Sequence, residues 1–159
     1  MTTVNLEELS FKSLEINSRK QIVFGFDTTK QYFIKIEVES NPNKTKNIDQ
    51  EFEVLKNLNL KGCRSCPKVY TQGSLPKEYL VDKMDPTSLT YVNNSPKNTF
   101  RYMIQDYIPH SNGVRFADIV FSMLEQKNLG VYQGDIKPAN IRFNKQNSVC
   151  YIIDYDQSI

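Results

Sequence analysis

The chain has 159 residues, of which 39% are hydrophobic and 24% charged, and its formal net charge is +2 at pH 7. These are the values of an ordinary globular protein, long enough to bury a core without disulfide or metal staples. So small a charge with no basic tract excludes nucleic acid as the expected partner, no apolar run reaches the roughly 18 residues of a membrane helix, and "MTTVNLEELS" lacks the basic-then-apolar layout of a cleaved signal.

Taken in chain order, the first third reads as strands. "FKSLEI" (11–16) alternates apolar and polar residues, and "QIVFGF" (21–26) follows the polar turn "NSRK". "QYFIKIEV" (31–38), rich in aromatic and β-branched residues, follows "DTTK". Short polar connections predict an antiparallel meander. Pro42 and its polar neighbours predict a loop, and "NIDQEFEVLKNLNL" then places Ile48, Phe52, Leu55 and Leu58 at helical spacing, with Asn47 or Asp49 as cap. "PKVYTQGS" and "EYLVDKM" read as two more strands, turning between Gly73 and Lys77. The stretch from Asp85 to Gly113 carries no dominant period: Phe100, Met103, Ile104 and Tyr107 fit a helical face, while "YMIQDYI" reads equally as a strand. "VRFADIVFSMLEQKN" predicts an amphipathic helix packing Phe116, Ile119, Val120, Met123 and Leu124 into the core. "NIRFN" and "VCYIID" close the chain as two short strands around "KQNS". The expected class is α+β.

The three cysteines are an odd count. Cys63 and Cys66 form one C-x-x-C, and His110 is the only histidine. Structural zinc is therefore not expected, since it would need a second pair of ligands. The simplest reading is two reduced thiols beside a turn, with redox and metal roles as the alternatives. Cys150, between Val149 and Tyr151, reads as a small core residue.

Chemistry concentrates near the C-terminal end, in "GDIKPANIRF" and "CYIIDYDQSI". Pro138 keeps its segment out of a helix interior and fixes a loop after Lys137. Asp135, Lys137 and Asn140 then offer an acceptor, a cation and a neutral oxygen ligand on one short turn. Asp154 ends the following strand, and a hairpin of that length returns it to Asn140. An amide oxygen with a carboxylate suits Mg²⁺, which takes few protein ligands and shares the rest with phosphates.

"GDIKPAN…IIDYD" resembles the catalytic loop and metal-binding turn of eukaryotic-type protein kinases, H-R-D-x-K-P-x-N followed by D-F-G. "YFIKI" resembles the third strand of that family, V-A-I-K, which makes Lys35 the partner of the ATP phosphates. "QEFEVLKNLN" resembles the helix whose glutamate pairs with that lysine, here Glu51. "YLVDKMD" resembles the hinge that receives adenine, giving Val81, Lys83 and Met84 as nucleotide contacts; "RYMIQDYIP" (101–109) is a second hinge candidate, and spacing favours the first. The resemblance implies a protein kinase-like fold with a β-rich N-lobe (about 1–84) and a truncated helical C-lobe (about 85–159) ending just after the DFG-like turn. It also implies ATP and Mg²⁺ as cofactors, Asp135 accepting the proton of an acceptor hydroxyl, Lys137 offsetting phosphate charge, and Asn140 and Asp154 holding the metal.

Several departures qualify it. "INSRKQIVF" has no glycines where the phosphate lid belongs, so Arg19 or Lys20 would supply charge instead. Gln133 and Gly134 stand in place of His-Arg, which argues against control by a phosphorylated activation loop. Asp156 replaces the last glycine of the metal turn. The chain is expected to be either a minimal kinase, like the small effectors some bacteria inject into host cells, or a fragment of a longer protein. The expected activity is transfer to a Ser or Thr of a protein substrate, in the cytoplasm or in a host cell reached without a cleaved signal. The alternatives are a pseudokinase binding module and a small-molecule kinase of the aminoglycoside or choline type.

Overall fold

The computed structural model describes residues 4–39, 46–134 and 136–155. Seven strands and three helices follow one another: β1 (Glu15–Ile16), β2 (Ile22–Phe26), β3 (Tyr32–Glu37), α1 (Ile48–Leu60), β4 (Val69–Pro76), α2 (Pro86–Asn93), β5 (Thr99–Asp106), α3 (Phe116–Asn128), β6 (Ile141–Asn144) and β7 (Val149–Ile152). They divide into two compact units. The first comprises Met1–Asn43, Asn47–Asp49 and Tyr70–Tyr107; the second comprises Lys44–Lys46, Gln50–Val69 and Ile108–Ile159.

The first unit is built on a five-stranded sheet of order β1-β2-β3-β5-β4. Its meander is set by turn chemistry. Asp27 accepts the N–H groups of Gln31 and Tyr32 at 2.9 Å each and closes the β2–β3 turn. Burial opposes charge on Asp27, but the bonds from Thr29, Tyr32 and Gln31 outweigh it and hold the carboxyl below its usual range. Register fixes the two faces: Ile34 faces Gly25 and Ile104, and Lys35 faces Phe24 and Met103. One face carries Val23, Ile34, Ile36, Phe100, Tyr102 and Ile104 into a core completed by Phe11, Leu14, Leu75, Leu80 and Val92. Alternation leaves Phe24, Phe33, Lys35, Met103 and Gln105 together on the other face.

Three expectations are corrected here. "EYLVDKM" is no strand: Lys77–Leu80 form a 3₁₀ turn, and Leu80, with its side chain in the core, forces the backbone to coil. The turn expected from Gly73 does not exist either, because Gly73 lies inside β4, where a side chain would meet the Tyr102 ring at 3.1–3.3 Å. The stretch without a dominant period contains α2, which Asp85 caps by accepting the Ser88 N–H at 2.9 Å, with Pro86 in the first turn.

In the second unit α1 buries Phe52, Leu55 and Leu58, as its spacing predicts. It ends in a Schellman stop: Cys63 N–H donates to the Leu58 carbonyl at 3.0 Å and Gly62 N–H to Asn59 at 3.1 Å, with Gly62 at φ +77°. The α3 helix forms where expected but lies on a different face. Its buried residues are Ser122 and Gln126, while Phe116 and Phe121 are 81% and 80% exposed and Met123 and Leu124 are also exposed. Polar bonds decide this orientation. Ser122 Oγ donates to the Cys150 carbonyl at 2.6 Å, Gln126 Nε2 donates to Ser65 Oγ at 3.0 Å, and Glu125 accepts the N–H of Ser65 at 3.0 Å. The β6–β7 hairpin packs Ile141, Phe143 and Cys150 with Val114, Ile119 and Ile136. Among the described residues, no helix is long and apolar enough to cross a membrane.

Candidate active site

The hairpin positions the late motif. Ile141 pairs with Ile152, so the residues just outside the ladder, Asn140 and Ile153, face each other at its open end. There Ile153 N–H donates to the Asn140 carbonyl at 3.0 Å, which brings Asn140 within one residue of Asp154. Pro138 starts a 3₁₀ turn (Pro138–Asn140) whose N-cap is Lys137, and Asn140 N–H donates to the Lys137 carbonyl at 2.9 Å. The Asn140 side chain is buried, Asp154 is half-buried and Lys137 is exposed. Asp135 and Asp156 lie outside the described residues. The hairpin thus brings Asn140 next to the residue before Asp154, with Lys137 at the head of the preceding turn.

Glu51 joins them from α1. It is buried, and its Oε1 accepts the N–H of Tyr155 at 3.3 Å. A buried carboxylate is costly unless hydrogen-bonded, and this bond ties α1 to the residue next to Asp154. Tyr155 is itself fully buried, and burial pushes its phenol well above the usual range. The link between Glu51 and Tyr155 was not foreseen from sequence, and no local pattern announces it.

In the first unit Lys35 sits mid-strand, between Phe24 and Met103. The Phe24 and Phe33 rings lie 6.1 Å apart beside it, and Phe26 stacks on Tyr107 at 4.7 Å. The β1–β2 turn, where a phosphate lid was sought, is closed on itself. Asn17 Oδ1 accepts the N–H groups of Gln21 at 2.8 Å and Ile22 at 3.1 Å, and the Asn17 carbonyl accepts that of Lys20 at 3.0 Å. Arg19 is exposed at its tip, and Lys20 Nζ lies 4.6 Å over the Tyr91 ring.

Three backbone groups of the segment preferred as hinge are engaged within the first unit. Val81 N–H donates to Glu78 at 3.2 Å, Lys83 N–H to Leu80 at 3.1 Å, and the Lys83 carbonyl accepts the Leu14 N–H at 2.8 Å. Val81 is exposed, Met84 packs against the core, and Lys83 pairs with Asp82 at 3.2 Å while lying over the Tyr79 ring. The second hinge segment leads out of β5, the strand that pairs with β3 and its Lys35. Tyr70 donates its hydroxyl to Asp106 at the end of β5, and burial followed by that bond raises the Tyr70 phenol.

Amide and carboxylate oxygens at one hairpin mouth are hard donors of the kind Mg²⁺ takes, so the residues present fit that ion.

No protein-family model matches the sequence, and no curated protein does. Solved structures do. A kinase of Cydia pomonella granulovirus, PK-1, matches 97% of this chain at TM-score 0.58 and 15% identity. The bifunctional kinase-methyltransferase WbdD matches 94% at TM-score 0.51 and 11% identity. The chain spans 55% of the first and 34% of the second. At these identities the likeness defines the fold, and the fold is protein kinase-like.

Proposed function

We propose that the chain is an ATP- and Mg²⁺-dependent phosphotransferase, a minimal protein kinase acting on a Ser or Thr hydroxyl of a protein partner. The observation that carries this reading is the hairpin mouth, where the Ile153–Asn140 bond sets Asn140 beside Asp154 directly after the Lys137 turn. Lys35 would meet the phosphates, and adenine would take either Val81–Met84 or the end of β5 from Gln105 to Tyr107, each of which has backbone groups already engaged within the first unit. Asn140 and Asp154 would hold Mg²⁺, which when bound supplies charge neutralisation at the phosphates. Glu51 holds the backbone at Tyr155 and so orients Asp154. Asp135 would accept the proton of the attacking hydroxyl, and Lys137 would offset charge on the transferred group.

Transfer of label from γ-labelled ATP to proteins of a cell lysate tests the assignment. Asp135→Ala and Asp154→Ala each lose about a hundredfold or more in rate, with melting temperatures close to wild type. Wild-type rates in both variants would remove it.

The closed β1–β2 turn favours a second reading. With the N–H groups of Lys20, Gln21 and Ile22 taken by Asn17, that turn has few left to offer a phosphate. A pseudokinase that binds nucleotide and grips a partner needs no lid. Magnesium-dependent thermal stabilisation by ATP, with no transfer to any lysate protein, would promote it.

A further inference from the structure

We propose that Cys63 and Cys66 form a redox-active dithiol, which a peroxide-class oxidant closes to an intramolecular disulfide with Cys63 attacking and Cys66 resolving. The two thiols stand in the C-x-x-C loop that follows α1, where Cys63 Sγ lies 3.5 Å from Ser65 Oγ and donates to Glu125 Oε1 at 3.5 Å. The loop is held in place at its entry and its middle. Its entry is the Schellman stop at Gly62. Its middle is Ser65, whose N–H and hydroxyl donate to Glu125 Oε1 at 3.0 and 2.6 Å, while its carbonyl accepts from Gln126 Nε2 at 3.2 Å and from Ile152 N–H at 3.0 Å. Arg64 N–H also donates to Glu125, at 3.2 Å. Anchored at its entry and its middle, the loop holds the backbone between the two cysteines in one arrangement.

The pair is asymmetric, which assigns the roles. Cys63 is half-buried; the hydrogen bond with Cys66 and those with Ser65 lower its thiol, against burial and the Glu125 carboxylate. Cys66 is buried, accepts from Asn59 Nδ2 at 3.4 Å, and is pushed up by its bond to Cys63 and by burial. The more accessible sulfur with the greater thiolate share reacts first. Its thiolate attacks one oxygen of hydrogen peroxide, the O–O bond breaks, and the other oxygen leaves as hydroxide, giving a sulfenic acid. Cys66 attacks that sulfur, the S–O bond breaks, and the departing hydroxide is protonated. In total two thiols lose two electrons and two protons, and the peroxide becomes two waters.

The test uses the full chain, reduced and then exposed to hydrogen peroxide, blocked with a maleimide and digested with trypsin. Trypsin cuts after Arg64, between the two cysteines, so the disulfide is expected to join the fragments 62–64 and 65–68 with the loss of two hydrogens, and dithiothreitol to release them. Cys150, on β7, is expected to stay unoxidised. Cys66→Ser is expected to halt at a Cys63 sulfenic acid that dimedone traps, and Cys63→Ser, at the less buried position, to form no joined fragments. Over-oxidation of wild-type Cys63 with Cys66 still alkylated would overturn the proposal, as would joined fragments in which either cysteine is linked to Cys150 or to a second molecule.

Discussion

Glu51 shows how much one buried side chain can decide. Its carboxylate is the acceptor for the Tyr155 N–H, so Glu51→Ala leaves a buried donor without that partner and is expected to cost about 1–3 kcal/mol. Glu51→Gln keeps an acceptor oxygen and is expected to recover much of that loss. Urea denaturation of the two variants checks it, and equal stability in both would show that the bond contributes little. The resemblance of "QEFEVLKNLN" to a kinase helix is what singled out Glu51 in the sequence, as a partner for Lys35. Its bond to Tyr155 was not legible, since nothing local connects residue 51 to residue 155. Lys137, Asn140 and Asp154 were legible for the opposite reason: a proline-fixed turn and a short hairpin bring them together within one continuous stretch.

At the scale of elements, α1 and α3 make an instructive pair. The apolar spacing of α1 matches the face it buries, whereas in α3 Ile119 packs on the hairpin but Phe116, Met123 and Leu124 are exposed, because Ser122, Glu125 and Gln126 are held inward by hydrogen bonds. Periodicity registers apolar residues alone and is blind to a polar face with partners distant in sequence. Burial opposes charge on Glu125, but its bonds from Ser65, Arg64 and Cys63 outweigh burial and hold its carboxyl below the ordinary carboxylate range. A depressed carboxylate contributes stability above its unfolded value and loses it as pH falls through the folded one. Wild type is therefore expected to lose stability below about pH 4.5 more steeply than Glu125→Gln, and parallel melting curves down the acid limb would refute that link. The stop of α1 gives a third expectation. Gly62 at φ +77° has nothing within 4 Å of where a Cβ would stand, so Gly62→Ala meets backbone strain alone and is expected to cost about 1–2 kcal/mol, read by thermal melting.

For the whole molecule, the first meander was legible because short polar turns join β1, β2 and β3. The sheet order was not. That β5, and not β4, lies beside β3 depends on pairing across α1, β4 and α2, which no local pattern announces. The fold is protein kinase-like, although the chain spans 55% of one solved kinase and 34% of another, and its first claim to function is that these groups take up a magnesium nucleotide. Calorimetric titration with ATP tests that claim most directly. With magnesium present, wild type is expected to release heat and saturate, and Asp154→Ala to bind at least about tenfold more weakly, a change worth ~1.4 kcal/mol. No heat from folded wild type, or identical binding with and without magnesium in both proteins, would contradict the account.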